Sequence, residues 1–105
     1  MPYVPAVVVN EAEIAKALKK AEKALKPDVV RIRYSLGDDW IGAPSIFFRA
    51  VITDDASQES KLREVSRRIK HEILNAVDAY EMGLQSYFYL RNLSEQKQMK
   101  EKSWE

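Results

Sequence analysis

The chain has 105 residues, 46% hydrophobic and 31% charged, enough for one domain with a single modest core and far from the composition of disordered chains. Seventeen basic residues against sixteen acidic ones leave a net charge of +1, so overall charge selects no polyanionic partner. The absence of cysteine excludes disulfides and thiolate metal sites and fits a cytoplasmic location, and no apolar run approaches the roughly 20 residues that span a bilayer.

Met1 to Val9 carries Pro2 and Pro5 before Ala6-Val7-Val8-Val9, which reads as a strand with Pro5 at its start or on an edge. Asn10 with Glu13 forms an N-cap pattern. The helix that follows places Ile14, Leu18, Ala21 and Leu25 on one stripe and Lys16, Lys19, Lys20 and Lys23 opposite; Pro27 ends it. Val29 to Leu36 and Ser45 to Thr53 read as two strands of an antiparallel hairpin, joined by a long loop from Gly37 to Pro44. Thr53-Asp54-Asp55 supplies turn and cap chemistry for a long helix with Leu62, Val65, Ile69, Ile73, Ala76 and Tyr80 on its stripe, stopped at Gly83. Ser86 to Arg91 is the last strand. Asn92 or Ser94 caps a short polar helix whose large apolar residues are Met99 and Trp104.

With the first segment counted, the order is β-α-β-β-α-β. The expected fold is α+β: a ferredoxin-like split βαβ antiparallel sheet, two helices on one face, and a short C-terminal helix or tail. Residues 1–93 form the domain and 94–105 the tail.

Side-chain alternation separates two faces. Val30, Ile32, Tyr34 and Leu36 line up with Ile46, Phe48, Ala50 and Ile52 and with Phe88 and Leu90, as a hydrophobic core. The opposite face collects Arg31, Arg33, Phe47, Arg49, Tyr87, Tyr89 and Arg91. Three uses suit such a face. It can bury its rings against a second copy or another protein, as interfaces rich in Tyr and Arg do. It can be covered by Ser94 to Glu105 through Met99 and Trp104. Or it can bind RNA or another single strand, with rings stacking bases and arginines neutralising phosphates. Trp40, in the hairpin loop, is either a partner-inserting anchor or a plug over the core edge.

Other constellations have plainer explanations. The lysine ridge of the first helix is a solvated face. Asp38-Asp39 and Asp54-Asp55 sit where turns favour aspartate and have no third ligand at hand, so no metal is expected. His71 falls opposite the apolar stripe of its helix beside Arg67 and Arg68, a poor setting for a general base. Three glycines cannot build a phosphate-cradling loop. Neither catalytic residues nor a cofactor is expected, and the chain does not read as an enzyme.

The segments Asp39 to Pro44, Ile46 to Arg49 and Tyr87 to Gln96 spell a D-W-x-G-x-P loop, an I-F-F-R strand and a Y-F-x-x-R-x-x-S-E-Q stretch. In these the chain resembles a set of small bacterial proteins of unassigned function, over most of its length after Pro27. Their genes look like those found beside small toxin-antitoxin-type modules. The resemblance implies a partner-binding or neutralising, antitoxin-like role, and assigns no catalytic residue. The expected function is thus a non-enzymatic protein-binding or regulatory component, homodimeric or bound to a protein partner through Arg31, Arg33, Trp40, Phe47, Arg49, Tyr87, Tyr89 and Arg91. Nucleic-acid binding through the same face is the alternative, and no membrane partner is expected.

Overall fold

A computed structural model describes residues 10–105. The strand expected within 1–9 lies outside the described residues. Asn10 caps the first helix as its sequence suggests: its side-chain oxygen accepts from the Glu13 amide at 3.2 Å. Helix α1 (Glu11–Ala24) buries Ile14, Leu18 and Ala21, Leu25 is buried at its C-cap, and its lysines face outward.

Strands β1 (Val29–Asp38) and β2 (Pro44–Ile52) pair antiparallel. The register steps between Val29, opposite Ile52, and Arg31, opposite Val51, which makes Val30 a bulge residue. The bulge turns Val29 into the core and leaves Val30 36% exposed, the reverse of simple alternation. Helix α1 also guards the outer edge of β1, because Glu22 accepts from the Ile32 amide at 2.6 Å. A carboxylate on an edge amide blocks that site to further strands.

The loop between β1 and β2 is shorter than its glycines and proline suggest. Gly37 pairs with Ser45 and Asp38 with Pro44, so the strands run on and the turn is confined to residues 39–43. The Asp39 amide donates to the Ala43 carbonyl at 2.9 Å, and the Gly42 amide donates to the Asp39 carbonyl at 3.0 Å. Gly42, at φ 82°, supplies the left-handed residue that such a three-residue hairpin requires.

Helix α2 (Glu59–Ala76) buries Val65, Ile69 and Ile73 against the same sheet face as α1. It stops well before Gly83, and Tyr80, expected on its stripe, lies beyond the helix and is 89% exposed. Arg68 pairs with Asp28 at 3.1 Å, tying α2 to the residue just before β1.

The chain then enters β3 (Gln85–Asn92), which pairs in parallel with β2 to give the sheet order β1-β2-β3. The fold is α+β, but the ferredoxin-like expectation is corrected. Among the described residues the order is helix-first with three strands, and the sheet is mixed. A split βαβ unit holds another strand between the two that its helix connects. Here those two strands are direct neighbours, with Ile46 opposite Ser86, Phe48 opposite Phe88 and Ala50 opposite Leu90. The Phe48 and Phe88 rings stack at 5.2 Å, an apolar contact that local periodicity cannot choose over its alternatives.

Asn92 and Glu95 form a reciprocal capping box at the start of α3 (Leu93–Met99). Lys100 follows in the left-handed region at φ 55°, and a single 3-10 turn spans Lys102–Trp104. This segment lies against β1 and β2 on the sheet face opposite α1 and α2. The described chain therefore has three layers: two helices, the sheet, and a thin C-terminal cover. Among the described residues no helix is long and apolar enough to cross a membrane.

Candidate functional site

Strand register sorts the second sheet face into rows. Ser35, Phe47 and Tyr87 form one row, Arg33, Arg49 and Tyr89 the next, and Arg31, Val51 and Arg91 the third. All seven sheet residues expected on this face therefore share it. The rows nonetheless divide into two regions of different character.

The third row and much of the second lie under residues 101–105. Arg49 Nε donates to the Ser103 carbonyl at 2.9 Å, Arg31 Nε to the Trp104 carbonyl at 2.8 Å, and Arg33 Nε to the Glu105 carbonyl at 2.9 Å. Three guanidinium groups thus hold three successive main-chain oxygens. Arg91 donates to the Gln96 side chain at 2.9 Å and to the Glu101 carboxylate at 2.8 Å. Its guanidinium carbon also lies 4.2 Å from the Trp104 ring centroid, within cation–π range. Arg31 pairs with the Glu105 carboxylate at 3.1 Å. Trp104 is 7% exposed, and Val51 in the same layer is fully buried although it does not belong to the helical-side core. Met99, the other candidate for cover, is 56% exposed. The arginines are engaged within the chain itself, with Trp104 rather than Met99 as anchor.

The first row and Tyr89 stay open. Phe47 stacks on Tyr87 at 5.4 Å and on Tyr89 at 6.5 Å, with interplanar angles of 18° and 21°. Trp40 leans over Tyr87 at 5.2 Å. The tryptophan is no plug over the core: it is 78% exposed, with Ile41 beside it at 77% and Tyr89 at 45%. Four rings thus run in a continuous row from the hairpin tip across β2 and β3, with Trp40 and Tyr89 exposed and Phe47 and Tyr87 half-buried between them.

Asp39 sets this geometry, a role that its place in an Asp-Asp turn only partly signals. Its side chain accepts from the Ile41 amide at 3.1 Å, the Ala43 amide at 2.9 Å and the Tyr87 hydroxyl at 2.7 Å. The Tyr87 hydroxyl and the loop amides hold its carboxyl below the usual carboxylate range, against an opposing effect of burial. The same bond, donated to an anion, pushes the Tyr87 hydroxyl up. A carboxylate held ionised by three donors is a structural brace and a weak base. Because its folded pKa is depressed, its contribution to stability is present above the unfolded carboxylate pKa and lost as pH falls through the folded value. Asp39→Asn should therefore differ most from wild type near neutrality. The two denaturation midpoints should converge as pH falls below about 4, and equal gaps at pH 7 and pH 3 would refute the role.

Elsewhere, Asp54 accepts from the Ser94 amide at 3.0 Å and fastens α3 to the turn before α2, so it does not cap α2. His71 is exposed, with Asn75 as its hydrogen-bonding neighbour. No group of three or more His, Cys, Asp or Glu side chains arranged to hold a metal occurs among the described residues. A groove of about 440 Å³ lies on the other layer, lined by Ile14, Ala17, Val77 and Met82 among others and by none of the face residues. Comparison with protein-family models, curated proteins and solved structures gives no match to the chain.

Proposed function

We propose that this protein is a non-enzymatic protein-binding component that self-associates through the row Trp40, Tyr87, Phe47 and Tyr89. The observation that carries the proposal is the division of the sheet face. The four arginines are turned onto the chain's own carbonyls and carboxylates, while the rings beside them stay uncovered. Pre-stacked aromatic side chains lose little conformational freedom on binding, and the exposed Trp40 and Tyr89 offer apolar area to bury, as interface centres do. Nucleic-acid binding needs cations free to neutralise phosphates next to the stacking rings, and here Arg31, Arg33, Arg49 and Arg91 are paired while residues 101–105 lie on the face. An antitoxin-like neutralising role, as the sequence resemblance implies, is one use of such a surface.

The test is light scattering of wild type and Tyr87→Ala across a concentration series, at low and high salt. We expect a dimer for wild type that persists in salt, and a mass shifted toward monomer for Tyr87→Ala. A strictly monomeric wild type that binds single-stranded RNA with steep salt dependence would overturn the proposal.

A further inference from the structure

The arginine region beside the open rings has the construction of a peptide-binding site. Its walls come from three strands and α3: Arg31 and Arg33 on β1, Arg49 on β2, Arg91 on β3 and Gln96 on α3. None of these residues belongs to the segment they hold. Recognition is largely of main chain, through the three Nε donors on the carbonyls of Ser103, Trp104 and Glu105. Side-chain selection rests on two features, a tryptophan seated under Arg91 and a glutamate next to it that meets Arg31 and Gln96. Gln96 is 1% exposed, and its amide donates to the Glu101 carbonyl at 2.8 Å, which fixes where the segment enters.

The occupant is a short appendage held by side chains of the three strands and α3. It consists of one 3-10 turn after Lys100, a non-glycine residue at φ 55°, a conformation that disfavours an L side chain. The core formed by α1, α2 and the sheet includes neither Trp104 nor Val51, so the segment packs as a separate outer layer. Every bond that holds residues 101–105 can be made equally by another chain with the same groups.

We infer that the arginine region is a receptor for a peptide segment with a tryptophan directly before a glutamate, supplied by a partner protein. Residues 101–105 are its resident competitor. A separate partner fits better than a second copy of this tail. The tail follows α3 after a single residue, and α3 is pinned by its capping box and by Ser94 on Asp54, which leaves little slack to reach another molecule. The site is also continuous with the exposed rings through Arg49 and Tyr89 in one row, so a partner chain entering it extends onto that row.

The experiment uses a fluorescein-labelled peptide spanning residues 99–105, titrated by anisotropy against the full chain as wild type, as Trp104→Ala and as Glu105→Lys. Circular dichroism checks that each variant keeps its fold. A tethered competitor acts at an effective concentration of order mM, so wild type should bind the peptide at least about tenfold more weakly than either variant. Adding Arg31→Ala to Glu105→Lys should abolish binding, and a peptide with alanine for its tryptophan should not bind. If folded Trp104→Ala and Glu105→Lys bind the peptide no better than wild type, the inference fails. It also fails if wild type forms a dimer that Trp104→Ala abolishes and Tyr87→Ala does not, since the second copy would then be the occupant. Loss of the dimer in Tyr87→Ala alone bears on the aromatic row and leaves the receptor intact, so the two proposals stand or fall separately.

Discussion

Phe48→Ala is expected to destabilise the fold by about 3–5 kcal/mol, the range for deleting a fully buried aromatic side chain that leaves a cavity behind. Phe48 sits at the middle of the central strand and is 1% exposed. It lies opposite Tyr34 on β1 and Phe88 on β3, and stacks on Phe88. Strands on both sides and helices above prevent the site from collapsing. Its neighbour Phe47 points to the other face and is only half-buried, so Phe47→Ala should cost about 1 kcal/mol. The comparison is a direct measurement of which sheet face is the core. Urea denaturation at neutral pH gives both values, and equal losses at the two positions would contradict the assignment of faces. Total stabilities of small domains run to about 5–15 kcal/mol, so Phe48→Ala is expected to leave a marginal or partly unfolded protein.

Trp104→Ala has the second largest expected effect, about 2–3 kcal/mol. Burying a large apolar side chain contributes roughly 1.5–3 kcal/mol, and a cation–π contact adds about 0.5–1 kcal/mol. The effect stays below that at Phe48 because no cavity forms. The thin outer layer detaches, water reaches Val51, and the arginines regain solvent. Denaturant midpoints measure the loss, and hydrogen exchange locates it. Amides of residues 100–105 should lose protection, while those of α1, α2 and β2 keep theirs. Removing the charged partners one at a time is a useful contrast. Glu101 pairs with Arg91 but its side chain is 54% exposed, so Glu101→Ala should change stability by under about 1 kcal/mol. A loss at Glu101 as large as that at Trp104 would show the cover to be held by charge and not by the indole.

Much of the site follows from local pattern. Alternation along three segments is enough to put Arg31, Arg33, Phe47, Arg49, Tyr87, Tyr89 and Arg91 on a common face, because the two-residue period of a strand holds wherever the strand forms. The exception is Val30, where a bulge adds a residue and moves Val29 into its place. Caps are equally legible, since Asn10 and Asn92 act on amides three residues away. The length of a turn is not. Whether Gly37 and Asp38 belong to a loop or a strand depends on pairing with Ser45 and Pro44, and that pairing is set by the whole hairpin. The end of α2 at Ala76 is likewise decided by the packing of Val77, Ala79 and Leu84 into the core, which a helix continued to Gly83 would forfeit.

The sequence by itself determined the two faces of the sheet, the amphipathic helices and the gathering of rings and arginines on one side. Each of these depends on residues close together along the chain, where backbone geometry dictates direction. Tertiary structure alone decided that β3 lies beside β2 in parallel, which turns a split βαβ into a direct one. It also decided that residues 101–105 fold back onto the arginines and leave the aromatic row open. Both outcomes join segments distant in sequence, Arg31 and Glu105 being 74 residues apart. Such choices rest on competition among long-range contacts of similar energy, for which no short stretch of sequence carries the answer.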